Sequence, residues 1–384
     1  MTIQEKQAPA AAAPAAADVE RKVYITRVTA AGAATVAGAA AGAVGLVWVL
    51  YERVLPLSGV LGFWLCWYAA FLLLYAAMAR LQWDRREVSQ RVATVVLSTV
   101  SVVVLVLVIG MLVYVVARGI SAFRHLNFFT QAMSFAGPTS SLSVGGALNA
   151  ILGTLEQIGL ATLLSVPLAV TAAVFLTEVG GLLARPVRII VEAMTALPDV
   201  IAGLFIYALF LITLGYHKSG LAAALALSVT MLPIVARASE VVLRLVPGTL
   251  REASYALGSS QWRTVWNVVL PTARSGLATA VVLGMARGIG ETAPVLVVSG
   301  VTSEVNLNPL QGPQMSLPLY IWNYVHVVGS SVSPGYIARG FGAAFALVLV
   351  VLLLFGIARW IGGRAPGELS RRQRRRLARQ GARA

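Results

Sequence analysis

The stretch VATVVLSTVSVVVLVLVIGMLVYVV, residues 92–116, runs for 25 residues without one charged side chain. About 20 apolar residues in a helix cross the roughly 30 Å of hydrocarbon in a bilayer, so this stretch is long enough to span a membrane. Seven further apolar stretches lie outward from it: residues 29–50 and 60–78 before it, and 147–176, 189–214, 220–236, 272–298 and 337–361 after it. The 384-residue chain as a whole is 58% hydrophobic and 12% charged, with a mean hydropathy of +0.81, which is too apolar for a surface that faces water. The pattern reads as an all-α fold, a polytopic transmembrane helix bundle.

Charge orients the bundle. Lys and Arg number 30 against 15 Asp and Glu. Basic residues collect on the cytoplasmic side of membrane proteins, so the excess needs no nucleic-acid partner to explain it. With both termini in the cytoplasm, 24 of the 30 basic residues fall on that side and 5 fall outside, namely Arg53, Arg118, Arg124, Lys218 and Arg339. Arg287 is then the one basic residue inside a span. Residues 1–28, rich in Ala and Pro, read as a disordered cytoplasmic tail without a cleavable signal. Residues 362–384 form a basic cytoplasmic tail, and its run from Arg371 to Arg376 reads as an anchor on anionic membrane lipids.

The same inventory excludes several chemistries. Cys66 is the only cysteine, and His125, His217 and His326 are scattered, so neither a disulfide nor a metal cluster is expected. The three lysines, Lys6, Lys22 and Lys218, do not follow glycine, so the Gly-Lys pair of a phosphate-cradling loop is missing. No catalytic residues are expected, and no cofactor on this chain; if ATP is used, another chain hydrolyses it. Two long outside segments, 119–146 and 299–336, carry Phe123, Phe128, Phe129, Tyr320, Trp322 and Tyr324, which read as an aromatic belt at the outer interface or as a docking surface.

The loop between the sixth and seventh stretches, 237–271, has helical signals throughout. Pro247 suits a first helical turn, and Leu250, Ala253, Ala256 and Leu257 follow at helical spacing. Gly258 suits a left-handed stop, and Ser259 or Ser260 can cap a second helix that ends before Pro271. Glu252-Ala253-Ser254, then Gly258, then Val268-Val269-Leu270-Pro271, resembles the EAA loop of ABC-importer permeases, with Ser254 and Val268 as mild departures. The resemblance implies a cytoplasmic coupling loop whose Glu252, Ala253, Gly258, Leu270 and Pro271 contact an ATPase subunit.

In span seven, Arg287 and Glu291 stand four apart, on one face of a helix. An intramembrane arginine is costly, and such charges face a bundle interior or a water-filled path. Arg287 therefore has two readings, a structural ion pair with Glu291 or a path-lining cation for an anionic substrate. The wording Ala286-Arg287 with Gly290-Glu291-Thr292-Ala293-Pro294 is similar to phosphate-specific ABC importers, and to their PstA-type permease. Gly153-Thr154, Val166-Pro167-Leu168, Pro198 with Gly203-Leu204-Phe205, and Ser316-Leu317-Pro318-Leu319 match the same family.

That resemblance implies a MetI-like six-span core at 85–361, with a two-span extension at 29–84 whose role is open, in a plasma (inner) membrane. It further implies a substrate path at Arg287, Glu291 and Thr292, a partner permease of PstC type, an ATPase dimer of PstB type carrying ATP and Mg, and an extracytoplasmic phosphate-binding protein of PstS type. Asp199 stands where the family leads one to expect a small hydroxyl residue. With Glu156 and Glu291 it makes three acids around one arginine, either some of them protonated or Asp199 and Glu156 facing away from the path. The alternatives are a permease for molybdate, sulfate or phosphonate, or a secondary transporter, against which the loop argues.

Overall fold

The computed structural model describes residues 30–54, 59–327 and 334–362. The expected tail at 1–28, and the tail at 362–384 beyond its first residue, lie outside the described residues. The chain divides into two compact units, residues 1–108 and 109–384.

In the first unit, α1 (Ala30–Val49) runs into a π-helical turn, Leu50–Val54, and α2 (Val60–Arg80) follows. Trp67, Phe71 and Tyr75 recur at helical spacing along α2 and stack successively, with ring centroids 5.9 and 6.1 Å apart. This aromatic ridge lies against the small-residue face of α1, where Ala39 and Ala43 are buried and Gly38 and Gly42 leave room for Met78 and Leu74. Small residues let membrane helices approach closely when no water drives them together. Cys66 is exposed on α2. The long helix α3 (Arg85–Phe123, 39 residues) begins in this unit, and its Val92 and Val95 pack on the same cluster.

The second unit continues α3 from Ile109 and adds α4 (Asn127–Thr130), α5 (Leu148–Val174), α6 (Ala184–Ala196), α7 (Asp199–Ile206) and α8 (Gly220–Arg244). It ends with α9 (Gly248–Ala256), α10 (Gln261–Thr264), α11 (Leu270–Ile289), α12 (Ala293–Ser299), α13 (Leu317–Ile321) and α14 (Pro334–Gly362). The alanine-rich α8 is its buried centre. Ala222, Ala223, Ala224 and Ala226 are fully enclosed, and Ser228 donates across to the Ala161 carbonyl of α5 at 3.3 Å.

Seven described helices are long and apolar enough to cross a membrane, and the bent pair α6–α7 brings the number to eight. Span five was expected to run unbroken over 189–214. It turns by 105° between Ala196 and Asp199, because Pro198 forces Leu197 into an extended conformation and has no N–H to continue the ladder. The pair still makes one crossing. α5 starts beside Gln131 and Thr302 and ends where Glu178 meets Arg251 of α9, whereas α8 starts at Ser219, bonded to the Val298 carbonyl. The chain between them passes from the end that carries α9 to the opposite end.

Four further expectations are corrected. The second helix of the 237–271 loop does not end before Pro271. It joins α11 through a π-helical turn, Val265–Val269, whose shifted ladder accommodates a proline in the first turn of α11. Span seven, expected unbroken over 272–298, is interrupted at residues 290–292 between α11 and α12.

Three of the six outside aromatics do not belong to an interfacial belt. Phe128, Tyr320 and Tyr324 are buried and join the main core. Tyr320 donates to the Gly146 carbonyl at 3.1 Å, and burial pushes its phenol up, so it acts as a neutral donor. Arg287 is also not the only basic residue in a span: Arg339 sits in the first turns of α14, 1% exposed, donating to the carbonyls of Ser141 at 2.6 Å and Val144 at 2.7 Å.

Candidate substrate path and coupling site

Two helix breaks meet in the second unit. α7 begins after Pro198 and α12 begins after Thr292, and Gly203 of α7 lies directly on Pro294 of α12. A Cβ at Gly203 would stand 2.6 Å from Pro294 Cα, so only glycine lets the two helices come this close. That approach brings Asp199 to Arg287. The guanidinium donates through Nη2 to Asp199 Oδ2, and its Nε lies 3.1 Å from Glu291 Oε1. Glu291 is beyond the end of α11, yet its N–H bonds the Gly288 carbonyl at 3.1 Å, which keeps the carboxylate one turn from Arg287. Thr292 occupies the position before α12, where its carbonyl accepts from Leu296 N–H at 2.9 Å.

Arg287 is half exposed and opens on a cavity of about 250 Å³ whose polar lining is Asp199, Thr195 and Thr230. Liquid water takes roughly 30 Å³ per molecule, so the space suits a small hydrated ion. The arrangement can hold an oxyanion on a guanidinium, with the difficulty that two carboxylates already occupy it. Asp199 therefore faces the cavity. Glu156 does not share this cluster: Gln314 Nε2 donates to its carboxylate at the far end of α5.

At that end the segment 313–317 is plugged between α5 and α8. A Cβ on Gly153 would meet the Met315 carbonyl at 2.0 Å, and one on Gly220 would meet Gln314 Oε1 at 2.1 Å. Gln157 Nε2 bonds Gln314 Oε1 at 3.2 Å, and Thr154 Oγ1 accepts from Leu317 N–H at 2.7 Å. Two family-like stretches far apart in sequence, Gly153-Thr154 and Ser316-Leu317, thus touch each other.

At the opposite end, α9 and α10 form a hairpin. Gly258 turns it at φ +79°, and Ser254 and Thr264 are joined inside it by a 2.8 Å hydroxyl bond. Pro247 stands just before α9 rather than in its first turn, and Ser260 precedes α10 without bonding it through its side chain. Glu252, Ala253 and Gly258 are exposed, together with Leu257, Trp262 and Trp266. Leu270 packs inward against Leu243 and Val246, and Pro271 is exposed on α11.

The hairpin is tied to the bundle by Arg251, which holds the buried Glu178 carboxylate at 2.8 Å and donates to the Val246 and Leu243 carbonyls at 2.7 and 3.0 Å. No local pattern in the sequence signals this tether. Its partners stand 73 residues apart and follow no common period.

Apolar helices of membrane-crossing length, an exposed hairpin at one end and a charged cluster at two helix breaks are the build of a membrane permease. Residues 165–365 match the family described as the binding-protein-dependent transport system inner membrane component, and the chain belongs to that family. It is 40% identical over 70% of its length to the phosphate transport system permease protein PstA 1 of Mycobacterium tuberculosis (strain CDC 1551 / Oshkosh), covering 86% of that protein. It is 38% identical over 71% of its length to the phosphate transport system permease protein PstA of Mycobacterium leprae, covering 89% of it. A solved inward-facing structure of the MetNI methionine ABC transporter aligns with 56% of this chain and 93% of that one, at a TM-score of 0.44 and 22% identity.

Proposed function

We propose that this chain is the permease subunit of an ABC importer that carries inorganic phosphate across the plasma membrane, driven by a separate ATPase dimer. The observation that carries the reading is Arg287, a cation set where two membrane helices break, beside a cavity sized for a small ion. The relatives described as phosphate transport permeases support the choice of anion. Phosphate, delivered by an extracytoplasmic binding protein of PstS type, replaces Asp199 on the guanidinium, which forms paired charge-assisted bonds to a tetrahedral oxyanion. Asp199 and Glu291 hold the cation when no anion is present, so the guanidinium is not left unpaired in hydrocarbon. Thr292 offers a hydroxyl at the same break.

Glu252, Ala253 and Gly258 on the hairpin take the ATPase of PstB type, which brings ATP and Mg, and Arg251 passes its motion to α5 through Glu178. Leu270 and Pro271 begin the helix that carries the push to Arg287. A homologous permease of PstC type completes the passage. Both termini face the cytoplasm, on the strength of the excess of basic residues in the segments assigned to that side. The 85–361 segment serves as the transport core and 29–84 as an extension. The test is phosphate uptake by the reconstituted importer. Uptake should be lost in Arg287→Gln at normal membrane level, and wild-type uptake in that variant would remove Arg287 from the path.

A further inference from the structure

A second cavity, of about 440 Å³, lies on the same pair of helix faces as the first. On α8, Thr230 and Pro233 line the cavity at Arg287, and Arg237, Glu240 and Arg244 line the second one at the next three- and four-residue steps. On α6, Thr195 lines the first cavity, and Glu192 and Arg188 line the second. The two cavities therefore follow one stripe along these helix faces, from the Arg287 site toward the hairpin end. From Thr230 to Arg244 the stripe covers about 21 Å at 1.5 Å per residue.

The second cavity is organised by one buried acid. Glu240 accepts from Arg188 at 3.0 Å and from Arg244 at 2.6 Å and lies 3.8 Å from Arg237, which also pairs with Glu192 at 3.1 Å. Its own side chain is 6% exposed, whereas those of the three arginines are 41, 46 and 58% exposed. Three guanidiniums thus converge on two carboxylates, leaving one net positive charge, and all three arginines line the open cavity. The guanidiniums, half in solvent, can take up a further anion while the buried Glu240 stays paired. A guanidinium presents its N–H groups in the fork that phosphate oxygens fit.

We infer that the Arg188, Arg237 and Arg244 cluster is a second oxyanion site, which receives the phosphate group after it leaves Arg287, at the cytoplasmic mouth of the path. It binds the same tetrahedral anion whether free in the cytoplasm or carried as a lipid headgroup, and a filled site holds back the next anion. The inference rests on the phosphate reading above.

The test is equilibrium dialysis of radiolabelled inorganic phosphate against the assembled importer in phosphatidylcholine nanodiscs, with Arg287→Gln silencing the inner site. That variant should retain one phosphate site. Adding Arg188→Gln and Arg244→Gln should weaken it at least tenfold. Glu240→Gln, which keeps all three arginines and removes a competing charge, should tighten it several-fold, a gain that a purely structural ion pair does not produce. Replacing half of the lipid with phosphatidylglycerol leaves binding unchanged if free phosphate is the ligand, and competition through the same arginines assigns the site to the headgroup. Absent binding, or binding unmoved by both sets of substitutions, overturns the site. Loss of ATPase co-purification with phosphate binding intact also overturns it, by making the cluster a protein contact. These results leave the transport reading standing, because wild-type phosphate uptake is measured separately and its absence removes that reading instead.

Discussion

At the far end of the 109–384 unit, Gln157, Ser299 and Gln314 are fully enclosed and bond one another through amides and a hydroxyl, whereas at the hairpin end Arg188, Arg237 and Arg244 stand half in solvent around Glu240. The first set is neutral and leaves its partners only if buried polar groups lose their bonds, at about 1 to 3 kcal/mol each. The second set is ionic, with its guanidiniums half in solvent around a buried acid, so a further anion can join the arginines without displacing Glu240. The difference teaches that the far end is built as a seal and the hairpin end as a site open to a further anion. Between them, Arg287 combines both characters, being charged, partly exposed and held at the meeting of two broken helices.

The largest effect expected from breaking this contrast is at the seal. Gly153→Val puts a branched side chain where the Met315 carbonyl already stands, beyond the 1 to 3 kcal/mol typical of overpacking, and should remove folded protein from the membrane. Quantitative blotting of membrane fractions checks this, and a normal level would mean that the 313–317 segment is not packed there. Next comes Gly258→Val, at a residue with φ +79° and nothing within 4 Å, so the variant should insert normally while ATP-driven uptake disappears. Uptake at the wild-type rate would detach the hairpin from coupling.

The Arg287 cluster sharpens the comparison further. A double change of Arg287 and Glu291 to Gln leaves Asp199 behind, so the informative variant adds Asp199→Asn. If the arginine only neutralises acids, the triple variant transports phosphate, and if it meets the anion, uptake stays below about a hundredth of wild type while expression recovers. The second outcome is expected, with Arg287→Lys rescuing in part, since lysine is a point charge without the fork.

A smaller effect is expected from Arg251→Gln. It leaves the buried Glu178 unpaired at about 3 kcal/mol and should lower uptake several-fold without changing the phosphate concentration at half-maximal rate. An unaltered rate would show that the hairpin does not push through α5. The smallest effect is expected from a chain beginning at Arg85, which should still assemble and transport. Failure in a pull-down would make the N-terminal pair part of the working core.

Much of the fold was legible because a membrane imposes a length. Residues 92–116 could only be a span, and the Glu252 to Pro271 stretch carried its own spacing. The breaks were less legible. Pro198 was in view, but 189–214 is apolar throughout its second half, and hydropathy counts residues without asking whether one axis runs through them. The same blindness hid the interruption at 290–292, where Glu291 at helical spacing still reached Arg287 despite lying outside the helix. Asp199 was noticed for its oddness, and only the approach of Gly203 to Pro294 showed whom it faces. Arg339 was counted with the outside residues, yet it lies buried in α14, where the Ser141 and Val144 carbonyls accept from its Nη2. The Gln314 seal and the Arg251 tether join residues 157 and 73 positions apart, a separation to which no local periodicity extends.

The bend at Pro198 also bears on how the chain enters the membrane. α6 has 13 residues and carries Arg185, Arg188 and Glu192, and α7 with its π-helical continuation to Thr213 has 15, so neither reaches by itself the roughly 20 residues of a span. The partners that neutralise α6, Glu240 above all, lie 52 residues later, which at about 5 to 20 residues per second is a delay of roughly 3 to 10 s during synthesis. The pair must wait at the lipid surface, or in the insertion channel, until α8 emerges, and nascent chains stalled before and after Arg244 should differ in lipid crosslinking from a probe at Ile201.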